Sequence, residues 1–344
     1  MSGSPSVLER FRAEVEAELR ASLSDDAAAP GLYAMLRYHL GWLDAQLQPT
    51  NGPGGKLLRP TLCLLAAEAV GGDYRRALPA AAALELVHNF SLIHDDIQDR
   101  GDERHHRPTV WRLWGEAQGI DAGDAALILA ELTFLRTAER GVAPAVVVAG
   151  ARLLNRACLR LAEGQHLDIG FEGKLDVTVD EYFAMISGKT AAMLGCSLEL
   201  GALVGSGNAT LARRYGEVGE ELGLAFQVQD DLLGIWGKVE RTGKPVGSDV
   251  YQRKMTLPVI HALAHAEPAD RAELAAIYSS GTVTPGQVAR AVAILDASGA
   301  RAHVDEVARR HYADAMVGLG TLGAAEAPMT ALREIASFLS GRDY

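Results

Sequence analysis

Cysteine is scarce in this 344-residue sequence: Cys63, Cys158 and Cys196 are an odd, widely scattered set in surroundings that read as helical. That pattern suits buried, reduced thiols better than a disulfide framework or a zinc site. Alternating runs of Val, Ile and Thr joined by hairpin turns are almost missing, which removes the sandwich and barrel classes. Basic residues are in deficit, 33 Lys and Arg against 44 Asp and Glu for a net charge of −11, whereas a nucleic-acid partner would ask for a basic face. The most apolar stretch, Val142 to Ala151, is too short to span a bilayer. The opening MSGSPSVLERF has neither the cationic nor the apolar region of a secretory signal. These features point to a soluble, cytoplasmic protein with no nucleic-acid partner and no stable membrane insertion. Without a Pro/Ser/Gly-rich linker, a low-complexity block or an internal repeat, residues 1–344 are read as one domain.

What is present favours helix. The chain is 48% hydrophobic and 22% charged, enough to bury a large core. Ala, Leu, Glu and Arg dominate stretches such as Ala81 to Leu86 and Ala122 to Leu135, which predicts an all-α fold. Periodicity and punctuation place helices near 5–23, 31–48, 60–70, 77–100, 122–139, 144–172, 179–205, 208–236 and 254–266, with more in the C-terminal third. Two Gly- and Pro-bearing loops interrupt them, at about 101–120 and 234–249. Each loop comes straight after an acidic cluster.

The first cluster, Asp95-Asp96-x-x-Asp99, closes an apolar helix. Asp95 and Asp99 are four residues apart and share a face, where like charges repel, and the helix macrodipole adds a further penalty at a C-terminus. An acidic triplet taken alone is more often a solvated helix end. Here Leu84 to Ile93 read as buried, and a second cluster, Asp230-Asp231, follows Phe226 to Gln229 in the same context. Carboxylates are the oxygen donors that Mg²⁺ prefers, commonly one or two of them with substrate phosphates and waters. Two such clusters suit several Mg²⁺ ions with a diphosphate between them. Cations to complete that site stand beside turns: Lys56 and Arg59 in GGKLLRP, Arg104 and Arg107, Lys189 in GKT, Lys244 and Lys254.

In chain order, GGKLLRP, HDDIQD with Arg104, GQHLD, GKT, FQVQDD, GKPVGSD and KMTLP resemble the motifs of the trans-type isoprenyl diphosphate synthases, from about Gly54 to the C-terminal FLSGRDY. The resemblance implies a single helical bundle around a deep central cavity, usually as a homodimer. It implies condensation of isopentenyl diphosphate with an allylic diphosphate, using roughly three Mg²⁺ ions and no organic cofactor. Carried over by position, Asp95 and Asp99 resemble the first metal ligands with Asp96 assisting; Asp230 resembles the second-motif ligand, with Asp231 in its shell. Arg104, Lys189, Thr190, Gln227, Lys244 and Lys254 match residues that hold the allylic diphosphate. Lys56, Arg59 and His88 match the isopentenyl diphosphate site; Gln165 and Asp168 match positions beside the carbocation, and Phe226 lines the pocket. His88, seven residues before Asp95, falls on the same helix face.

Two positions depart from the family pattern. Gly234 stands where the second motif usually has its third acid, and His105 where an arginine commonly contacts isopentenyl diphosphate. A histidine cannot reproduce the arginine fork and is only partly charged near neutrality. Product length is read from the residues just before the first motif: Phe90, five before Asp95, with the small Ser91 beside it and Val87 deeper. This resembles short-chain synthases that stop at geranylgeranyl diphosphate, with farnesyl diphosphate as the alternative. A class I terpene cyclase would carry a different second motif, against Gly234 and Lys238 here, and a non-catalytic partner subunit of the same fold is the third reading.

Overall fold

A computed structural model describes residues 5–23, 29–50, 55–237, 246–322 and 325–341. Among them the regular structure is helical apart from one two-residue hairpin, so the fold is all-α. The chain divides into two compact units. The first comprises Met1–Asn155, Ser197–Arg213 and Ala324–Leu332; the second comprises Arg156–Cys196, Arg214–Gly323 and Arg333–Tyr344.

The first unit is built on α1 (Arg12–Ser22), α2 (Pro30–His39), α3 (Leu58–Ala69) and α4 (Leu78–Gln98). Pro79 starts α4, where its missing N–H costs nothing, and the run Ala80 to Val87 is buried on every side. Because the apolar run ends before Asp95, the helix emerges from the core at its acidic end. The expected helix over 31–48 stops at His39. Gly41 at φ 83° breaks it, and the Asp44 carboxylate accepts the backbone N–H groups of Gln46 and Gln48, offering that stretch a turn instead.

The stretch expected as one loop over 101–120 is more ordered. β1 (Glu103–Arg104) pairs antiparallel with β2 (Arg107–Pro108), and His105 and His106 both adopt positive φ, the pattern of a type I′ turn. α5 (Val110–Trp114) and α6 (Glu116–Leu135) follow, separated by Gly115 at φ 88°. Val110 joins a core cluster with Met35, Leu36, Ile93 and Ala122, and that burial draws the segment into helix despite its glycine.

The remaining long helices are α7 (Pro144–Phe171), α8 (Val179–Ile186), α9 (Ala192–Ser206) and α10 (Ala209–Trp236). A capping box between Thr178 and Glu181 starts α8. The helix expected to run through 179–205 is interrupted by a π turn over Ser187–Ala191, a feature often found at functional sites. In the second unit, Gly164 of α7 lets that turn come close: a Cβ there would overlap the backbone N of Lys189. The core of this unit gathers Tyr182, Val228, Ile235, Val259, Tyr278 and Ile294, with contributions from helices Leu257–His265, Pro268–Tyr278, Pro285–Ala297 and Ala300–Thr321.

Candidate active site

At the end of α4, Asp95 is half-buried and Asp99 exposed, while Asp96 turns inward with only 5% of its surface open. Arg104, placed on β1 by the hairpin, donates from Nε to both Asp96 oxygens at 3.0 and 3.1 Å and lies 3.7 Å from Asp95. Burial pushes the Asp96 carboxyl above its ordinary range, opposed by the Arg104 hydrogen bond. The three aspartates therefore differ in setting: Asp96 is buried against the arginine, Asp95 is half-buried at its edge, and Asp99 is exposed at the helix end.

The same unit contains a partly open cavity of about 80 Å³ lined by His88, Arg104, His105 and Gly55, among others. Lys56, beside Gly55, is exposed, and its charge reaches His105. Burial is the first cause holding His88 well below the usual imidazole range; the charges of Arg59 and Arg104 add to it, so this imidazole is neutral. His105 is lowered as well, first by burial and then by Arg104, His106 and Lys56. Arg59 enters α3 just after Leu57, which adopts a left-handed φ of 50°. The Arg59 Nε is closed off from solvent and has no hydrogen-bond partner. A buried, unpartnered guanidinium donor is costly, and an anion is the ligand that would relieve it.

Glu85, which nothing in the motif order singled out, is the acid near that arginine. It is 4% exposed, accepts Asn89 Nδ2 at 3.2 Å, and its carboxyl is raised by burial against the pull of Arg59. A lone acid inside the apolar run of α4 was its available signal.

In the second unit, the π turn places Lys189 in an ion pair with Asp168. Thr190 donates to Gln227 Oε1 at 2.6 Å, and Gln227 Nε2 donates to Asp231 Oδ1 at 3.1 Å. Asp231 Oδ2 also accepts the Tyr182 hydroxyl at 2.7 Å and the Leu257 backbone N–H at 3.1 Å. Asp231 is thus a buried hub whose carboxyl burial drives up to about 7, its three donors opposing that rise. Asp230 beside it is exposed. Tyr182 carried no signal in spacing, since its partner is 49 residues away.

Gly234 is explained by its neighbour. A Cβ at this position would overlap the Asp249 carboxylate, which lies against the glycine and accepts the Ser248 hydroxyl at 3.3 Å. Asp249 therefore supplies carboxylate where the second motif lacks its third acid. It sits in GKPVGSD, so the sequence held the clue. Its carbonyl accepts the backbone N–H of Lys254, tying that residue to the cluster.

Gln165 and Phe226 are half-buried in this unit. Lys244 lies outside the described residues. Of the length-determining candidates, Val87 is fully buried and Ser91 donates to the His88 carbonyl at 2.7 Å. Phe90 packs against the α2–α6 core with its ring edge-on to His94 at 5.3 Å.

No three His, Cys, Asp or Glu side chains among the described residues already form a metal-holding group. Mg²⁺ does not call for one, since one or two carboxylates with substrate phosphates suffice. Asp95 and Asp99 in the first unit and Asp230 in the second are hard oxygen donors at half-buried or exposed positions, the donor type that such an ion takes.

The polyprenyl synthetase family model matches residues 41–295. A (2E,6E)-farnesyl diphosphate synthase of Mycobacterium tuberculosis is 40% identical over 320 residues, 92% of this chain and 88% of that protein. A geranylgeranyl diphosphate synthase of the same organism is 43% identical over 294 residues, 85% of this chain and 82% of that one. The crystal structure of a polyprenyl synthetase from Streptomyces coelicolor superposes with a TM-score of 0.88 at 38% identity, covering 97% and 98% of the two chains. With the family model spanning most of its length and relatives this similar at both levels, the chain belongs to the polyprenyl synthetase family.

Proposed function

We propose that this trans-prenyltransferase extends allylic diphosphates with isopentenyl diphosphate and releases geranylgeranyl diphosphate, acting through a single catalytic domain that comprises both units. The observation that carries the donor assignment is the Arg59 Nε, closed off from solvent and unpartnered, three residues after Lys56 and with its charge reaching His88, which lines the cavity together with Arg104 and His105. Those residues are assigned to the diphosphate of isopentenyl diphosphate. Neutral His88 serves as an N–H donor rather than a charge.

Asp95 and Asp99 in the first unit and Asp230 in the second are assigned to Mg²⁺, roughly three ions in all. Bound Mg²⁺ supplies neutralisation of charge on the leaving diphosphate. Lys189, Lys254, Lys244 and Arg104 are assigned to the same diphosphate, so Lys189 exchanges its Asp168 partner for substrate oxygens. Thr190 and Gln227 orient that contact through the Asp231 hub.

The allylic carbon–oxygen bond breaks, the isopentenyl double bond attacks the cation, and a proton leaves the new chain to restore an alkene. The released diphosphate accepts that proton, so no protein nucleophile is used. Gln165 and the freed Asp168 carboxylate stand beside the cation, and Phe226 helps exclude water.

The C20 product rests on Phe90 five residues before Asp95 with Ser91 small. Farnesyl diphosphate is the competing product, favoured by the seating of Phe90 in the α2–α6 core, which leaves the floor to other residues. A homodimer is proposed from α6, where Ile120, Ile128, Leu132 and Leu135 are 47, 56, 56 and 49% exposed along the helix. Incubation with Mg²⁺, isopentenyl diphosphate and five-, ten- or fifteen-carbon primers, with products identified by mass, tests the assignment. A twenty-carbon diphosphate is expected; absence of any prenyl product from purified, folded protein overturns it.

A further inference from the structure

The family match begins at residue 41, yet part of the wall of the first unit's cavity comes from earlier residues. Arg12, Glu16 and Leu19 of α1 line it, as do Tyr38 and His39 at the end of α2. From this geometry we infer that His39 is a further binding residue for the donor diphosphate, contributing a neutral imidazole N–H from a helix outside the matched region. The inference rests on the assignment of this cavity to isopentenyl diphosphate.

Three observations carry it. The backbone at His39 is fixed to the hairpin that bears Arg104 and His105: the Tyr38 hydroxyl donates to the Pro108 carbonyl at 2.6 Å, the Arg107 guanidinium lies 4.1 Å over the Tyr38 ring, and Arg107 donates to the Leu43 carbonyl at 2.7 Å. His39 therefore moves with the residues already assigned to the diphosphate. His39 is half-buried and forms part of the cavity wall beside His88, Arg104 and His105.

The charges around it also select its state. Arg104, His105 and Arg107 face it from the hairpin and His88 from α4. With burial the larger cause, they hold the His39 imidazole down at about 3, so it is neutral at any working pH. A neutral imidazole has one N–H to give, and in a cavity rich in cations the partner that accepts it is an anion. The cavity's own acids are engaged elsewhere. Glu16 takes Arg12 at 3.4 Å, and Glu85 takes Asn89. Arg12 is itself held by Glu9 and by the Gly55 carbonyl at 3.2 Å, which ties α1 to the loop carrying Lys56.

The test is steady-state kinetics at saturating allylic primer. His39→Ala should raise the KM for isopentenyl diphosphate about tenfold while leaving kcat and the allylic KM within about threefold. His39→Gln, which keeps an N–H, should recover most of the loss, whereas His39→Leu should not. Because His39 does not titrate, the ratio of variant to parent donor KM should stay flat from about pH 6 to pH 9. A donor KM within about twofold of the parent for His39→Ala overturns the inference, as does an equal rise in both substrates' KM values. Should His39→Ala fold poorly, the Gln and Leu variants decide, and equal donor KM values for the two overturn it. A parent enzyme that makes no prenyl product would instead refute the cavity's assignment, a separate result.

Discussion

Gly234→Asp would restore the third acid that the second motif usually carries, and the structure says it should damage the enzyme. The new Cβ would occupy the place of the Asp249 carboxylate, forcing that side chain to rotate and give up the Ser248 hydroxyl. Two carboxylates would then sit about 5 Å apart in a half-buried setting. Coulomb repulsion at an effective dielectric of 20 to 40 is about 1.5–3 kcal/mol. A loss of that size should lower Tm by about 2–4 °C in a protein this long and, where it falls on metal positioning, cut kcat/KM about ten- to a hundredfold. Gly234→Ala should show the steric part alone and lose less. Adding Asp249→Ala to Gly234→Asp should recover a good part of both losses, so that the double-mutant cycle reports a coupling of at least about 1 kcal/mol. The assay is thermal unfolding together with Mg²⁺-titrated condensation of isopentenyl diphosphate. Gly234→Asp matching or surpassing the parent in both would show that Asp249 does not fill the vacated position.

Asp95→Ala and Asp230→Ala should each lower turnover at least about a hundredfold at matched Mg²⁺, with little loss of fold because neither is buried; near-parent turnover in both would refute the metal assignment. His105 begins with its pKa below the usual 6.5, so its charge is present only at low pH and donor affinity should weaken as pH rises through that lowered value. His105→Arg should tighten donor binding and flatten the profile, and an unchanged donor KM at every pH would show that His105 does not reach the diphosphate. Phe90→Ala should lengthen the product by at least one five-carbon unit and Ser91→Phe should shorten it towards fifteen carbons; a product distribution unmoved by both, in active enzymes, would place the floor elsewhere. Leu132→Glu on the exposed face of α6 should yield monomer by light scattering, and a dimer that persists would mean that this face is not the interface.

The helical class and most helix positions were legible because apolar periodicity is a local property, and the motif order carried the family. Local signals failed where glycine and packing decide. The helix over 31–48 could not be ended at His39 without knowing that Asp44 would take its own backbone, and the π turn at Lys189 depends on Gly164, 25 residues earlier, admitting a close approach. The site shows the same division. Residue types and spacing picked out Asp95, Asp99, Asp230 and the cations around them, since each motif is written over a few consecutive positions. Which aspartate faces inward was not written there. Asp96 and Asp231 both follow the first acid of their motif, and each is buried against a partner, the half-buried Arg104 in one case and the buried Tyr182 in the other. The second acid thus organises the cluster, while the first stands nearer to solvent, half-buried at Asp95 and exposed at Asp230. Gly234 carries that reasoning one step further. A motif counted along the chain scores it as a lost carboxylate, but a cluster counted in space has kept one, because the side chain removed at 234 made room for Asp249. The two counts predict opposite effects for the same substitution, which is why restoring the acid is the informative experiment.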